Sequence, residues 1–546
     1  MSTVTTVLFL VLAVVVSSVM ARALPGTLPR PVVQIALGVV IGFVTPLRVT
    51  LDPDLFFLVF LPPLLFLDGW RVPTEDLVAN RATIIQLALG LVLFTVLGAG
   101  LLVHWIVPTM PLAVAFALAA VLSPTDPIAV SAIAARVPIP RRLMRILEGE
   151  SMLNDASGLV CLRFAVAAAM TGTFSLPRAA LSFLWVAAGG LAVGALVVWL
   201  VTRVQRAVAA RLGAETGSQI LTNLLMPFGA YLLAEELGCS GILAAVAAGV
   251  AMSAVEESGA ARATTRIGRT AMWNVVQFAA NGIMFVLLGE QIPRIVADVV
   301  ADARTTGARS AWWLVGYVLV VTGALELFRF VWVCVSLGVS RLAFHHEENA
   351  STRRPNWRLI AATSVGGVRG AVTLAGVLTL PLALPDGAPF PERTLAIFIA
   401  AGVIVLSLLV ASVSLPLLLR GIQMPARSSS EQQAEMAQSV AYEAAIRGVQ
   451  RAVGALAHDR PDADLYVAAA SRIMDAYRAR LARRPPPDDS TRLARRTADI
   501  ERELSLAALA AERGAIFGLM REQKLASDAG ARLIQELDLR EASYRA

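Results

Sequence analysis

Thirteen long apolar segments fill the first 420 residues of this 546-residue chain. A helix needs about 20 mostly apolar residues to cross a lipid bilayer. Over the whole chain 57% of the residues are hydrophobic and 16% are charged, whereas a soluble domain carries about 25% charged residues. A soluble enzyme and a disordered chain are therefore excluded, and we predict an all-α polytopic membrane protein. The predicted spans are 4–21, 32–46, 54–69, 82–107, 111–135, 150–170, 180–202, 219–236, 240–255, 272–290, 311–338, 359–382 and 394–419.

The arginines of this region lie mostly in alternate loops. Eighteen of them follow odd-numbered spans and six follow even-numbered spans. Because loops rich in positive charge stay in the cytoplasm, we expect the N-terminus outside and the C-terminus inside. The first segment has no positive residue before Arg22, so it is predicted to be a span and not a signal peptide. These loops and a polar tail account for the net charge of +7, and we expect no nucleic-acid partner.

The composition changes near Pro425, where a polar tail rich in Ala, Arg, Glu and Gln begins. We predict a transmembrane domain over residues 1–424 and a helical cytoplasmic tail over 425–546. Prolines divide this tail at 460–461 and at 485–487. Its apolar residues either form an ordinary core face or contact a regulatory or dimer partner. The residues considered are Ile500, Leu504, Leu506 and Leu509.

Span 5 contains the sequence Ser123-Pro-Thr-Asp-Pro127 in its middle. Each proline lacks a backbone donor and clashes with the preceding turn, so the helix is expected to unwind near Asp126. Irregular backbone inside a membrane must face protein, water or an ion. A simple proline kink with a hydrogen-bonded Asp126 is the bland alternative. The pattern favours an ion site.

Span 6 begins with a polar helical face. Ser151, Asn154, Asp155 and Gly158 are spaced i, i+3, i+4 and i+7, which places them on one side of a helix. Burial away from water favours the neutral, protonated form of a carboxylate, so Asp155 is suited to hold a proton and release it when a cation arrives. A purely structural polar seam is the alternative.

Span 12 contains Gly366-Gly-Val-Arg-Gly370. Three glycines within five residues weaken a helix, so a second interruption is expected here. Arg369 lies within it, and a buried arginine needs a carboxylate partner. We predict Glu150 as that partner. Glu326 and Arg329 in span 11 are expected to pair with each other, while no partner is indicated for Arg163 in span 6.

The two interrupted spans, 5 and 12, lie seven spans apart in the sequence. An odd offset gives them opposite membrane orientations, as in an inverted repeat of six spans, a connector and six further spans. Secondary transporters cross such broken helices at the middle of the membrane to form an ion site. Because the site carries the carboxylates of Asp126 and Asp155, the pattern indicates a secondary transporter for a cation.

Four motifs also resemble those of a known family. They are Leu61-Pro-Pro-Leu-Leu-Phe-Leu-Asp68, Ser123-Pro-Thr-Asp-Pro127, Gly149-Glu-Ser-Met-Leu-Asn-Asp155 and Gly366-Gly-Val-Arg-Gly370. Together they are similar to motifs of the monovalent cation:proton antiporters of the first cation/proton antiporter group. These are bacterial sodium/proton exchangers related to those of animals, and the resemblance covers residues 1 to about 420. It implies an inner-membrane homodimer of thirteen-helix subunits, each with a dimerisation domain and a mobile core domain.

The resemblance also implies roles for individual residues. Asp155 would bind the cation or the proton, beside Asn154. Asp126, Thr125 and Ser151 would help to coordinate Na⁺, and Glu150 with Arg369 would form a structural ion pair. Asp68 would act as a gate on the cytoplasmic side. The Asn154–Asp155 pair implies electroneutral exchange, and Glu290 has no role in the family pattern.

The expected activity is exchange of Na⁺, or also Li⁺, for protons by competition at Asp155 and alternating access. No cofactor is expected, and the sequence has no phosphate-binding loop of the ATPase type. Potassium/proton exchange is the main alternative. A cation channel would need a continuous pore with rings of ligands, and an intramembrane aspartyl protease would need a matched pair of aspartates sharing a proton. A sensor built on a degenerate transporter would be expected to lose its site carboxylates.

Overall fold

The fold is known from a computed structural model. It describes residues 3–23, 28–44, 53–71, 86–126, 130, 141–172, 176–213, 215–257, 263–305, 312–343, 357–420, 429–456, 463–482, 490–522, 525, 533–534 and 536–541. Within these residues the chain is helical and contains no strand, apart from an isolated bridge between Ala383 and Pro389. The contacts divide the chain into two units, Met1–Ile422 and Gln423–Ala546. The predicted domain boundary at 424/425 lies outside the described residues.

The helices of the first unit follow the predicted apolar segments. They are α1 (Thr3–Ala23), α2 (Arg30–Val44), α3 (Pro53–Arg71), α4 (Val92–Ile106), α5 (Leu112–Leu122), α6 (Arg141–Thr171), α7 (Leu176–Leu212), α8 (Thr216–Glu236), α9 (Gly241–Glu257), α10 (Ala263–Thr305), α11 (Trp312–Ala343), α12 (Trp357–Val365), α13 (Ala371–Leu378) and α14 (Arg393–Leu419). A π-helical turn, Gln86–Leu91, leads into α4. In the described residues, spans 5 and 12 are interrupted, as predicted, and α12 and α13 are the two halves of span 12.

Six stretches within these helices are long and apolar enough to cross a membrane by length and composition. They are Thr5–Ala23, Ala88–Ile106, Leu184–Leu212, Thr265–Asp302, Trp312–Ser336 and Arg393–Leu419. Further apolar helices are shorter, among them α2 and α5. An all-α fold with several apolar helices is therefore confirmed, while the number of thirteen spans stays a prediction.

The helices of the first unit form two bundles. Helices α1–α3 and α7–α10 pack mainly against one another, and so do α4–α6 and α11–α14. We call the first group the scaffold bundle and the second group the core bundle. Along the chain the two bundles alternate in the same order twice, with α7 between the repeats. This order is the one that the predicted inverted repeat requires.

The scaffold bundle depends on close contact between α2 and α10. A Cβ atom added at Gly38 would overlap the carbonyl oxygen of Val286, and one added at Gly289 would overlap the carbonyl oxygen of Ile35. Small residues of this kind let the backbones of two membrane helices approach closely, which gains van der Waals contact where lipid offers no hydrophobic drive. Helices α2 and α10 therefore pack closely against each other within this bundle.

The described part of the second unit contains α15 (Ser429–Leu456), α16 (Ala463–Ala482) and α17 (Ser490–Arg521). The rings of Tyr442 and Tyr477 lie 5.9 Å apart and join α15 to α16. Arg513 of α17 pairs with Asp538 and Glu541 near the end of the chain. The four apolar residues considered for a core face or a partner contact lie in α17. Of these, Leu509 is buried and Leu506 is half-buried, while Ile500 and Leu504 are exposed.

Candidate functional site

The helix of span 5 stops at Leu122, and Ser123 to Asp126 are not helical. Pro124 explains the stop, because it has no N–H group to continue the helix. The second proline of the motif, Pro127, lies outside the described residues. The stop at Leu122 confirms the interruption predicted near Asp126.

The second interruption, residues 366–370, lies against the first. The backbone N–H of Asp126 donates a hydrogen bond of 2.7 Å to the carbonyl oxygen of Val368. A Cβ atom added at Gly370 would overlap the Asp126 carboxylate, so the glycine is needed for this close approach. The two irregular segments thus supply each other with backbone partners that a bilayer cannot offer.

Arg369 caps the end of α5. Its Nε donates to the carbonyl oxygen of Leu122 at 3.0 Å, and its Nη1 donates to that of Gly367 at 2.5 Å. The last carbonyl groups of a helix have no partner within it, and here a buried guanidinium supplies one. Arg329 of α11 does the same for α12, because its Nε donates to the carbonyl oxygen of Thr363 at 3.1 Å.

The predicted ion pair between Glu150 and Arg369 is wrong. Glu150 instead accepts two hydrogen bonds from Arg329, at 2.5 and 2.7 Å, in a bidentate pair. Arg369 donates to Glu326 at 2.9 Å, so Glu326 and Arg329 are not paired with each other either. These two residues lie three apart on one face of α11. Arg329 pairs with Glu150 of α6, and Glu326 pairs with Arg369 of the second interruption. The spacing of these residues in the sequence does not indicate which charges pair.

The polar start of α6 contacts the first interruption through side chains. The side-chain amide nitrogen of Asn154 donates a hydrogen bond of 2.9 Å to the Thr125 hydroxyl. That hydroxyl in turn donates to a Glu150 carboxylate oxygen at 3.5 Å. The Asn154 side-chain oxygen is buried and has no hydrogen-bond partner. A buried polar atom of this kind is costly unless something pairs with it. Asn154 therefore holds Thr125 in place and leaves an oxygen available.

A small cavity of about 30 Å³ lies where these segments meet, which is room for a water molecule or a cation that has lost most of its water. Three carboxylates line it, those of Asp68, Asp126 and Asp155, together with the hydroxyls of Thr125 and Ser151. The structure thus brings five of the six predicted ion-binding and gating residues to one space. The sixth, Asn154, contacts Thr125 from behind.

The cavity lies at the boundary between the two bundles. Asp68, Leu61, Leu64 and Leu65 of α3 and Met284 of α10 come from the scaffold bundle, while Asp126, Ser151 and Asp155 come from the core bundle. Asp155 is 7% exposed and Thr125 is 5% exposed. A hard cation prefers oxygen ligands such as these, and its charge would compensate a buried carboxylate.

Two further cavity residues, Met284 and Thr373, were not predicted from the sequence. Met284 is an ordinary apolar residue of a long helix, and only packing brings it to the cavity. Thr373, on the first turn of α13, also lines it. Its position just after the glycine-rich motif is the one local signal that could have indicated it.

Comparisons with known proteins agree on one family. A family model described as sodium/hydrogen exchanger, transmembrane, matches residues 8–421. An uncharacterized Na⁺/H⁺ exchanger of Escherichia coli K12 is 39% identical over 544 residues, which cover 98% of each chain. A sodium, potassium, lithium and rubidium/H⁺ antiporter of Bacillus subtilis 168 is 44% identical over 416 residues, covering 76% of this chain and 61% of the relative.

A solved structure is also similar. The sodium/proton antiporter MjNhaP1 of Methanocaldococcus jannaschii aligns with 77% of this chain and 99% of its own, with a TM-score of 0.57 and 19% identity. At that identity the likeness supports the fold alone. It indicates that most of this chain follows the fold of that multi-span membrane antiporter.

Proposed function

Because this chain belongs to the sodium/hydrogen exchanger family, we propose that it exchanges Na⁺ for protons across a bacterial inner membrane. It is a transporter and not an enzyme, since it couples the downhill movement of one ion to the uphill movement of another. No cofactor is needed for this. The observation that carries the proposal is a cavity at the bundle boundary that is lined by the carboxylates of Asp68, Asp126 and Asp155.

Competition at Asp155 accounts for the coupling. One carboxylate at this buried position is neutralised either by a proton or by Na⁺, and the two ions exclude each other. Asp126, Thr125 and Ser151 supply further oxygen ligands for Na⁺. Asn154 orients the Thr125 hydroxyl through their hydrogen bond of 2.9 Å. Because one site holds one monovalent ion or one proton, exchange is electroneutral.

Movement of the core bundle against the scaffold bundle exposes the site to one side of the membrane at a time. A loaded core bundle carries a compensated charge, whereas an empty one carries a buried, unpaired carboxylate into an apolar barrier, which is costly. The pairs Glu150–Arg329 and Glu326–Arg369 join helices within the core bundle. These ion pairs let the core bundle move as one body. The unpaired carboxylate of an empty site disfavours movement of the core bundle without a bound ion.

The scaffold bundle is the proposed dimerisation domain, and the protein works as a homodimer in the lipid bilayer. The N-terminus lies outside and the C-terminal tail lies in the cytoplasm, as the arginine distribution indicates. In this orientation α3 ends in the cytoplasm at Arg71. Asp68, one turn before that end, lies on the cytoplasmic side of the cavity and acts as the gate.

The transported cation includes Na⁺, and the range extends to Li⁺. Exchange of potassium for protons is the alternative, because the Bacillus subtilis relative is named as an antiporter of sodium, potassium, lithium and rubidium. Exchange rates measured with each of the four chlorides in everted membrane vesicles distinguish these cases. Rates that do not change when the membrane potential is clamped support electroneutral exchange.

The same vesicles test the site. Asp155→Asn removes the one group that both ions need, so we expect no cation-induced dequenching of a pH dye. Asp386→Asn is the matched control, since Asp386 is exposed in the loop between α13 and α14, and it should exchange normally. Full dequenching in Asp155→Asn, with normal membrane expression, would refute the site.

A further inference from the structure

Arg163 is a charged residue in an otherwise apolar part of α6, Ser157–Thr171. It lies eight residues after Asp155, which is about 12 Å along a helix. Its side chain is 55% exposed, so it is not a member of the buried ion-pair network at the site. Neither the family motifs nor the exchange mechanism gives this residue a role.

Arg163 pairs with Glu235 at the end of α8. One guanidinium nitrogen of Arg163 lies 3.1 Å and 3.3 Å from the two carboxylate oxygens. Glu235 also accepts a 3.0 Å hydrogen bond from the backbone N–H of Gly241. Gly241 begins α9, and a helix N-terminus stabilises a carboxylate placed there. The scaffold bundle therefore fixes Glu235, and Arg163 approaches it from the core bundle.

This pair joins the two bundles. In the same unit, Glu150–Arg329 and Glu326–Arg369 join parts of the core bundle, and Glu256–Arg269 joins α9 to α10 of the scaffold bundle. Those pairs can persist while the bundles move. The contact of Arg163 with Glu235 cannot persist if α6 slides past α8, because its length is set by both bundles.

The Arg163–Glu235 pair lies on the external side of the ion site. With the proposed topology, α6 and α8 both run from the cytoplasm to the outside, so Arg163 lies on the external side of Asp155. Asp68 lies on the cytoplasmic side of the cavity. Contact between Arg163 and Glu235 therefore holds the bundles together on the external side of the site and leaves the cytoplasmic side free to open.

We propose that Arg163 and Glu235 form an external latch, a positioning pair that stabilises the inward-facing state and breaks when the site opens to the outside. The proposal rests on the exchange function above. Exposed ion pairs are weak, so removing this one shifts the two-state equilibrium by about two- to fivefold. A shift of that size changes the apparent affinity on each side without abolishing turnover, because affinity scales with the population of the competent state.

Arg163→Gln tests the latch in vesicles of both orientations. In everted vesicles, where the cytoplasmic face meets the added Na⁺, the apparent KM should rise about two- to threefold. In right-side-out vesicles it should fall, because the outward-facing state is more populated. Arg294→Gln, an exposed arginine of α10, is the control and should change neither value. A purely structural role would move both values in the same direction or lower turnover alone.

Glu235→Gln, which keeps an acceptor for the backbone N–H of Gly241, should shift both KM values in the same directions as Arg163→Gln does. Cysteines at 163 and 235, in a chain whose three native cysteines are replaced by serine, add a second measurement. A short bifunctional thiol reagent that joins them should stop exchange. The latch is overturned if KM is unchanged on both sides, if it shifts in the same direction on both, or if the cross-linked protein still exchanges. Loss of exchange in the parent would instead overturn the proposed function.

Discussion

At the scale of single residues, the site depends on a few buried charges whose partners are now defined. The bidentate contact of Arg329 with Glu150 lies directly behind Thr125, which lines the ion cavity. A buried ion pair contributes little net stability compared with apolar residues, but removing one partner is strongly destabilising. The pair therefore holds the cavity wall in place more than it stabilises the fold.

Glu150→Gln leaves the Arg329 guanidinium buried without a counter-charge. We expect the free energy of unfolding to fall by about 3–5 kcal/mol, measured as a lower thermal stability in detergent. Adding Arg329→Met should recover part of the loss, because the uncompensated charge is removed. Adding Arg369→Met should not. If the stability of Glu150→Gln were recovered by adding Arg369→Met but not by adding Arg329→Met, Glu150 would pair with Arg369 instead.

The sequence motifs predicted which residues surround the ion but not how the charges pair. Ser151, Asn154 and Asp155 share a helix face, and that periodicity is local, so it can be read from the chain. The partners of Arg369 and Arg329 depend on where α11 packs, some 180 residues from Glu150. Nothing local encodes that distance. For the same reason the sequence indicated no role for Met284 and no partner for Arg163.

At the scale of helices, the two interruptions are the elements on which the site is built. Each occurs where the sequence removes helical stability, through Pro124 in one case and through three glycines in the other. These local signals made both breaks predictable. Their direct contact, through the hydrogen bond from Asp126 to Val368, depends on tertiary packing. The inverted repeat supplied the only sequence-level reason to expect it.

Gly370→Ala should separate the two interruptions, because its methyl group would overlap the Asp126 carboxylate. We expect the exchange rate in everted vesicles to fall at least tenfold, while overpacking costs about 1–3 kcal/mol of stability. Gly323→Ala is the matched control. It lies in α11 with open space around it, and it should keep the parent's rate and stability. Parental exchange by Gly370→Ala would show that the close approach is not needed.

At the scale of the whole molecule, transport requires two bodies that move and a site between them. The scaffold and core bundles alternate along the chain in the order that an inverted repeat gives, and the cavity lies at their boundary. Thirteen apolar segments in the sequence predicted the helices well, since hydropathy is a local property. The division into bundles was not readable from hydropathy, because every helix in both of them is apolar.

The second unit, Gln423–Ala546, lies outside the matched family region, which ends at residue 421. We therefore expect a chain ending at Ile422 to insert in the membrane and to exchange Na⁺ for protons at a rate within about threefold of the parent, since the site and its ion pairs all lie in the first unit. Vesicle exchange, with expression measured in parallel, checks this. A truncated chain that inserts normally but does not exchange would place an essential element in the tail.

Competition of a proton and Na⁺ for the Asp155 carboxylate couples the two ion movements. Proton release on Na⁺ binding, followed with a pH indicator in a weakly buffered detergent solution of the purified protein, measures this competition. We expect close to one proton released per Na⁺ bound when the site starts protonated, and none from Asp155→Asn. Once the site is mostly protonated, the apparent Kd for Na⁺ should rise about tenfold for each further unit by which the pH is lowered. Binding of Na⁺ without proton release, or undiminished release from Asp155→Asn, would contradict this competition.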